Sequence, residues 1–127
     1  MKKLKIFLTN LLLFFVAGFL LLIFVNVGIV TALLNILFKK RSTDYFKDCA
    51  TEIDILGNVL CGDFFNYILR TKYSFHLFGK LRMTISEVLG LLERDGGLSG
   101  IGKLIAKILN KIDKDHCKNS IRDENKR

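Results

Sequence analysis

The sequence predicts an all-α membrane protein: one long N-terminal transmembrane helix followed by a small bundle of short amphipathic helices. No charged residue occurs between Ile6 and Phe38. Further along the chain, apolar side chains recur at steps of three and four residues, which is the period of one helical face. The chain also contains no proline, the residue that most strongly interrupts helices.

The uncharged segment is long enough to cross a bilayer once. A helix needs about 20 apolar residues to span the hydrocarbon core, and the most apolar window here is Leu11–Val30. Two crossings would also need a turn, for which there is no room. We therefore divide the chain into a basic flank (residues 1–5), a transmembrane anchor (6–38), a small helical domain (43–117) and a disordered polar tail (118–127).

A cleaved signal peptide is the alternative to a permanent anchor. The first five residues contain three lysines, and Val30-Thr31-Ala32 fits a cleavage site. The apolar region of a signal peptide is typically about 7 to 15 residues long, and here apolar sequence continues past Ala32 to Phe38. This length favours an uncleaved single-pass anchor in the inner (cytoplasmic) membrane.

The charges around the anchor differ too little to orient it. Three lysines precede it, and the positive-inside rule compares these with the bases that follow: Lys39, Lys40, Arg41 and Lys47. Disulfide scaffolds of secreted proteins usually have an even number of cysteines. This chain has three, Cys49, Cys61 and Cys117, which favours a cytoplasmic tail.

Asn26 and Gly28 are candidates for helix association within the anchor. An amide in hydrocarbon seeks a hydrogen-bonding partner, and a glycine allows two helices to approach closely. The alternative is that Asn26 bonds a carbonyl of its own helix, four residues back.

A first tail helix is predicted after Arg41-Ser42-Thr43-Asp44, whose residue types cap helix starts. Its apolar positions alternate at steps of three and four, which predicts one buried face: Phe46, Cys49, Ile53, Leu56 and Leu60. We expect Gly62 to end this helix. Asp63 would then cap a short helix over Phe64–Arg70.

Residues 64–83 combine aromatic side chains with arginines and lysines. Such a mixture suits a segment at the membrane surface. The same rings could instead complete the core of a small bundle. The aromatic residues concerned are Phe64, Phe65, Tyr67, Tyr73, Phe75 and Phe78.

Two more helices have clear start signals. Thr84-Ile85-Ser86-Glu87 is a capping box, in which Thr84 accepts from the Glu87 backbone and Glu87 reaches back. The helix should end at Arg94-Asp95-Gly96-Gly97. Ser99 can cap a last helix with one apolar face: Ile101, Leu104, Ile105, Ile108 and Ile112.

A row of lysines flanks that last apolar face: Lys103, Lys107, Lys111 and Lys114. A basic amphipathic helix of this kind can bind an anionic membrane or an acidic partner. The alternative is an ordinary solvated face.

No catalytic or metal-binding pattern is evident. The candidate ligands lack the paired spacing of a zinc site: Cys49, Cys61, His76, His116 and Cys117. Paired acids such as Glu52/Asp54 are interpreted as surface charges, and the tail charge is too diffuse for a nucleic-acid site. We expect no enzyme activity and no cofactor. A redox or metal-linked membrane enzyme is the remaining chemical alternative.

Three fragments resemble a family of small, largely uncharacterised phage and prophage proteins. Asn58-Val59-Leu60-Cys61-Gly62-Asp63 resembles an N-x-L-x-G-[GD] turn, Thr84-Ile85-Ser86 a T-[IL]-S element, and His116-Cys117 a closing H-C pair before a charged tail. The chain departs from the family pattern in having a longer interval between the first two fragments. Members are often found among phage structural or lysis genes.

The resemblance implies packing roles for the positions that match: Asn58, Gly62, Asp63, Thr84, Ser86, His116 and Cys117. The first three would shape a turn between helices, the next two would cap, and the last two would close the bundle against that turn. The expected function is a non-enzymatic, single-pass membrane accessory protein whose tail binds a partner or the bilayer surface. The partner could be a second copy or another membrane or phage protein. A holin-like, lesion-forming lysis protein is the alternative.

Overall fold

The computed structural model describes residues 1–39 and 41–123. Within these ranges the chain forms helices and one isolated bridge, between Arg70 and Leu98, which confirms the all-α class. It divides into two compact units, Met1–Tyr45 and Phe46–Arg127. The helices are α1 (Lys2–Leu37), α2 (Tyr45–Ile68), α3 (Ile85–Arg94), α4 (Gly100–Ile112) and α5 (His116–Asn119).

The first unit is built on α1, a continuous helix of 36 residues. At about 1.5 Å per residue it is about 54 Å long, against roughly 30 Å for the hydrocarbon core of a bilayer. No part of its most apolar stretch is buried. Among the described residues, α1 is the one helix long and apolar enough to cross a membrane.

In the second unit, α2 passes through Gly62, where the sequence predicts an end, and continues to Ile68. Phe64–Ile68 is therefore the final part of α2, and the predicted short helix does not extend to Arg70, which lies in the isolated bridge. Gly62 is buried because the backbone of the following loop lies against it. A Cβ at Gly62 would be 2.4 Å from the Gly79 Cα atom. The glycine serves a close approach between two backbones and does not stop the helix.

α3 is the buried centre of the second unit, and α4 and α5 both pack against it. Thr84 caps α3 as predicted, since its side chain accepts a 2.9 Å hydrogen bond from the Glu87 N–H. Every residue from Ser86 to Leu92 is buried. The core consists of Leu69, Phe78, Met83, Val88, Leu89, Leu91, Leu92, Leu98, Ala106 and Cys117.

α4 begins at the predicted cap, where Ser99 Oγ accepts from the Gly102 N–H at 3.1 Å. Small residues let this helix approach the end of α2. A Cβ at Gly102 would lie 2.2 Å from the Leu69 carbonyl oxygen, and Ala106 is fully buried.

The chain after α4 is packed where the sequence predicts a disordered tail from residue 118. Ile121 packs against the core, and Arg122 bonds the buried Glu87 carboxylate. An apolar side chain and a charge partner therefore hold this segment in place. Residues 124–127 lie outside the described part of the chain.

Candidate functional site

Asn58 lies at the centre of a polar contact between α2 and the loop that precedes α3. Its side chain is fully buried. The amide nitrogen donates to the carbonyls of Lys80 and Met83, both at 2.9 Å, and the amide oxygen accepts from the Gly79 N–H at 3.1 Å. One side chain thus bonds three backbone groups of the irregular loop, of which the Lys80 carbonyl also accepts from the Met83 N–H.

Asn66 repeats this arrangement two turns later on α2. Its side chain accepts from the Phe78 N–H at 2.9 Å and donates to the Phe78 carbonyl at 3.1 Å. Phe78 itself is buried, and its ring meets the Phe65 ring edge to face at 5.5 Å between centroids. The two asparagines therefore fasten the loop to α2 at both ends.

The predicted positions Ser86 and His116 meet at a second polar cluster, at the start of α3. Asp54 of α2 accepts the Ser86 hydroxyl at 2.8 Å and the Ile85 N–H at 3.0 Å. A carboxylate at a helix N-terminus is stabilised by the free N–H groups there. His116 Nε2 lies 3.2 Å from Ser86 Oγ, and its Nδ1 lies 3.1 Å from Asp113.

The order Ser86–His116–Asp113 has the connectivity of a hydrolase triad, but its hydrogen bonds are arranged differently. A nucleophilic serine must direct its hydroxyl proton to the histidine. Here the shorter contact of Ser86 Oγ is with the Asp54 carboxylate, which accepts the hydrogen bond from that hydroxyl. Ser86 is also only 5% exposed. The geometry therefore favours a structural cluster that joins α2, α3 and α5.

Glu87 is a fully buried acid in the middle of the second unit. Arg122 lies against it: the guanidinium donates to the carboxylate at 3.1 and 3.3 Å, and the Arg122 N–H donates at 3.2 Å. A buried carboxylate without such a partner would be costly. The Glu87 carboxylate thus binds the segment that follows α5.

His116-Cys117 packs against α3, and not against a turn at Gly62-Asp63 as the resemblance implies. A Cβ at Gly90 would lie 2.1 Å from the Cys117 carbonyl oxygen, so only glycine fits there. Cys117 is fully buried, and its N–H donates to Asn110 at 2.9 Å. Burial, together with the nearby Glu93 and Asp54 charges, raises the pKa of the Cys117 thiol to about 11. The thiol therefore stays protonated at neutral pH.

The remaining family-like position, Asp63, is exposed on α2 and is not part of either cluster. Sequence reasoning also missed Asp54, Glu87 and Arg122 as members of these clusters. One local signal for Asp54 existed, because Asp54, Asn58 and Gly62 recur every four residues and so share one face of α2. Nothing local connects Glu87 with Arg122.

The apolar face predicted to be buried on α2 is instead turned outward. We call it the α2 stripe: Phe46, Cys49, Ile53, Leu56 and Leu60. Ile53 is 69% exposed and Leu60 is 55% exposed. The domain packs on the other side of the helix because Asp54, Asn58 and Gly62 make specific contacts there. The apolar spacing correctly predicted a helix but wrongly predicted its buried side.

α4 shows the same outcome. Of its predicted apolar face, Ile105 packs against the core, whereas the other four side chains are exposed: Ile101, Leu104, Ile108 and Ile112. We call these four the α4 stripe. The lysines at 103, 107, 111 and 114 are exposed as well. α4 thus presents an apolar strip beside a basic strip.

The aromatic segment divides between the two predicted interpretations. Phe65 and Phe78 pack in or against the core. Tyr73 and Phe75 are more than nine-tenths exposed, as a surface segment requires.

In the anchor, Asn26 and Gly28 are both exposed on α1. Thr31 donates to the Val27 carbonyl of its own helix at 2.8 Å. Among the described residues, no such internal hydrogen bond is present at Asn26.

No protein-family model, no curated protein and no solved structure matches this chain.

Proposed function

We propose that this protein is a non-enzymatic, single-pass accessory protein of the inner (cytoplasmic) membrane. In this proposal α1 is an uncleaved anchor, and the second unit is a small domain on the cytoplasmic side that binds a partner or the bilayer surface. The supporting observation is the contrast between the two units. The most apolar stretch of α1 is uncovered, whereas the second unit has a core of its own.

The α4 stripe is the part of the domain best suited to the bilayer surface. Four exposed aliphatic side chains can enter the interface while the adjacent lysines meet anionic headgroups. Each lysine near such a surface contributes about 1 kcal/mol of attraction. The chain would then contact the membrane twice, through its anchor and through α4.

A phage or prophage origin is also part of the proposal. It rests on the resemblance of the three fragments. Of the packing roles that the resemblance implies, Thr84 does cap α3. Asn58 and Gly62 lie inside α2 and hold the loop against it, so they do not shape a turn between helices. Ser86 lies within α3 and contacts His116.

The test is membrane fractionation of the full chain and of a variant lacking residues 2–38. We expect the full chain to remain in the membrane pellet after an alkaline carbonate wash, with the mass of an uncleaved protein. The deletion variant should be found in the soluble or aggregated fraction. A full chain that is washed off, or that is cleaved after Ala32, would contradict the anchor.

A measurement of the membrane potential separates this function from a holin-like one. The observation that favours lesion formation is the exposed polar side chain of Asn26 on the apolar helix α1. An accessory protein should leave the membrane potential unchanged when its expression is induced. An abrupt collapse of the potential, lost on Asn26→Leu, would support the lesion-forming alternative.

A further inference from the structure

The α2 stripe has the spacing of a coiled-coil seam. In heptad notation, Phe46, Ile53 and Leu60 occupy a positions, and Cys49 and Leu56 occupy d positions. Four of these side chains are between 43% and 69% exposed. A strict a/d repeat is the pattern with which one helix packs against another helix of the same kind.

The domain leaves the part of this seam formed by Ile53, Leu56 and Leu60 exposed. The residues that bind the loop and the core are Asp54, Asn58 and Gly62, at positions b, f and c. On a helix with 3.6 residues per turn, they are centred roughly 160° from the seam. A second helix can therefore approach Ile53, Leu56 and Leu60 from the side opposite these contacts. At the edge of the seam, the end of the Ile85 side chain lies close to Gly57.

We propose that the α2 stripe pairs with the same stripe of a second copy, forming a parallel two-stranded coiled coil next to the membrane. This rests on the proposed anchor, because two copies inserted in one membrane by their N-termini present α2 in the same direction. Ile53 at a and Leu56 at d are the combination that favours two parallel strands.

The charges beside the seam fit a second copy better than a lipid surface. Glu52 lies at the g edge of the stripe and Asp63 at the next d position, and these acids would be repelled by anionic headgroups. In a parallel pair, the residue at g meets the residue at e of the next heptad in the partner. Glu52 then faces Gly57 of the partner subunit, so no like charges oppose each other.

The available area fits a dimer that is assisted by the membrane. The stripe with the adjacent Val59 and Phe64 offers about 600 Å² per copy, or about 1,200 Å² for the pair, which is the lower end for specific interfaces. Anchoring both copies in one membrane raises their effective concentration. The seam ends before Asp63, because two carboxylates at a d position would repel each other.

The test is oxidative cross-linking of the full chain in its membrane, with copper phenanthroline and oxygen as the oxidant. Cys49 lies in the seam, where facing thiols come within disulfide reach. Cys61 is exposed on the same helix but outside the seam, and Cys117 is buried. We expect a disulfide-linked dimer from the Cys61→Ser chain, and loss of that dimer from the Cys49→Ser chain.

A second pair of variants tests the packing itself. Leu56→Glu would place like charges across the seam and should abolish the Cys49 cross-link. Ile108→Glu, an equivalent change on the α4 stripe, should leave it intact. Both residues are about half exposed, so neither change disturbs the core.

The outcomes distinguish this inference from the function on which it rests. A chain that stays in the membrane but forms no Cys49 dimer, or that cross-links equally through Cys61, refutes the coiled coil alone. A Cys49 adduct with a different protein assigns the stripe to another partner and also refutes self-pairing. A chain absent from the membrane fraction contradicts the proposed anchor.

Discussion

Asn58 makes side-chain hydrogen bonds that no apolar residue at its position could make. The loop Phe78–Met83 is irregular, so its buried N–H and carbonyl groups need partners from elsewhere. Asn58 supplies three such hydrogen bonds. This explains why a polar residue is fully buried at the point where a hydrophobic contact would be expected.

Replacing Asn58 with alanine should therefore destabilise the second unit substantially. The Met83 carbonyl and the Gly79 N–H would lose this partner, at about 1–3 kcal/mol for each group left unsatisfied. The Lys80 carbonyl keeps its hydrogen bond from the Met83 N–H, and we expect a total loss of about 3 kcal/mol. Since Cys117 is fully buried, its reaction with a thiol reagent during a urea titration reports unfolding.

Asn66→Ala is the matched control for this change. Asn66 makes two hydrogen bonds at a half-buried position, so its loss should cost only about 1 kcal/mol. Equal urea midpoints for the two alanine variants would show that the buried amide is not the main fastening of the loop.

The cluster of Asp54, Ser86 and His116 shows that residue types alone do not determine a role. Two of these residues, with Asp113, have the connectivity of a catalytic triad, yet a second carboxylate binds the serine hydroxyl at 2.8 Å. The cluster joins three helices that are distant in sequence. Its chemistry is that of a helix N-terminus stabilised by a carboxylate from another helix.

At the scale of the element, α2 has two faces with different tasks. One face fastens the loop through Asn58 and Gly62, and the other presents the α2 stripe. Gly57 and Gly62 both lie within this helix, where glycine costs about 1 kcal/mol relative to alanine. The close approach of the loop backbone requires only the second of them.

Alanine at these two glycines should consequently have opposite effects. A Cβ at Gly62 would meet the Gly79 backbone at 2.4 Å, whereas one at Gly57 would meet only the end of the Ile85 side chain, at 3.1 Å. We expect Gly62→Ala to destabilise the second unit by about 2–3 kcal/mol. Gly57→Ala should be neutral, or stabilising by up to about 1 kcal/mol.

The urea dependence of Cys117 labelling measures both changes in the full chain. A Gly62→Ala chain with an unchanged midpoint would show that the loop can move away from α2 at little cost. A large loss at Gly57 would show that the Ile85 side chain cannot adjust its position.

At the scale of the whole molecule, the proposed function predicts on which side of the membrane the second unit lies. The three cysteines differ as reporters. Cys61 is exposed, whereas Cys117 is fully buried and the raised pKa of its thiol further lowers its reactivity. A topology assay should therefore rely on Cys61, with Cys49 replaced by serine.

We expect Cys61 to react with a membrane-impermeant maleimide only after cells are lysed, as a cytoplasmic tail requires. The cells are tested intact, with any outer membrane permeabilised. A Cys49→Ser, Cys61→Ser chain is the control, and it should remain unlabelled until it is denatured. Labelling of Cys61 in intact cells would place the second unit outside and favour an envelope or lysis role.

Several features of this protein follow from short stretches of sequence. The uncharged run from Ile6 to Phe38 determines a long apolar helix, since nothing in it interrupts helical hydrogen bonding. Thr84 and Ser99 determine where α3 and α4 begin, because a cap bonds an N–H only three residues away. These interactions are local, so the residues nearby are sufficient to predict them.

Only the tertiary structure decided which faces are buried. The spacing of the α2 stripe predicted an inward face, but the helix turned Asp54, Asn58 and Gly62 inward instead. Their partners lie 17 to 32 residues further along the chain, and Glu87 finds Arg122 at a separation of 35. Such contacts stabilise the fold most when water is excluded from both partners at once. That exclusion depends on the packing of the whole domain, which no short segment specifies by itself.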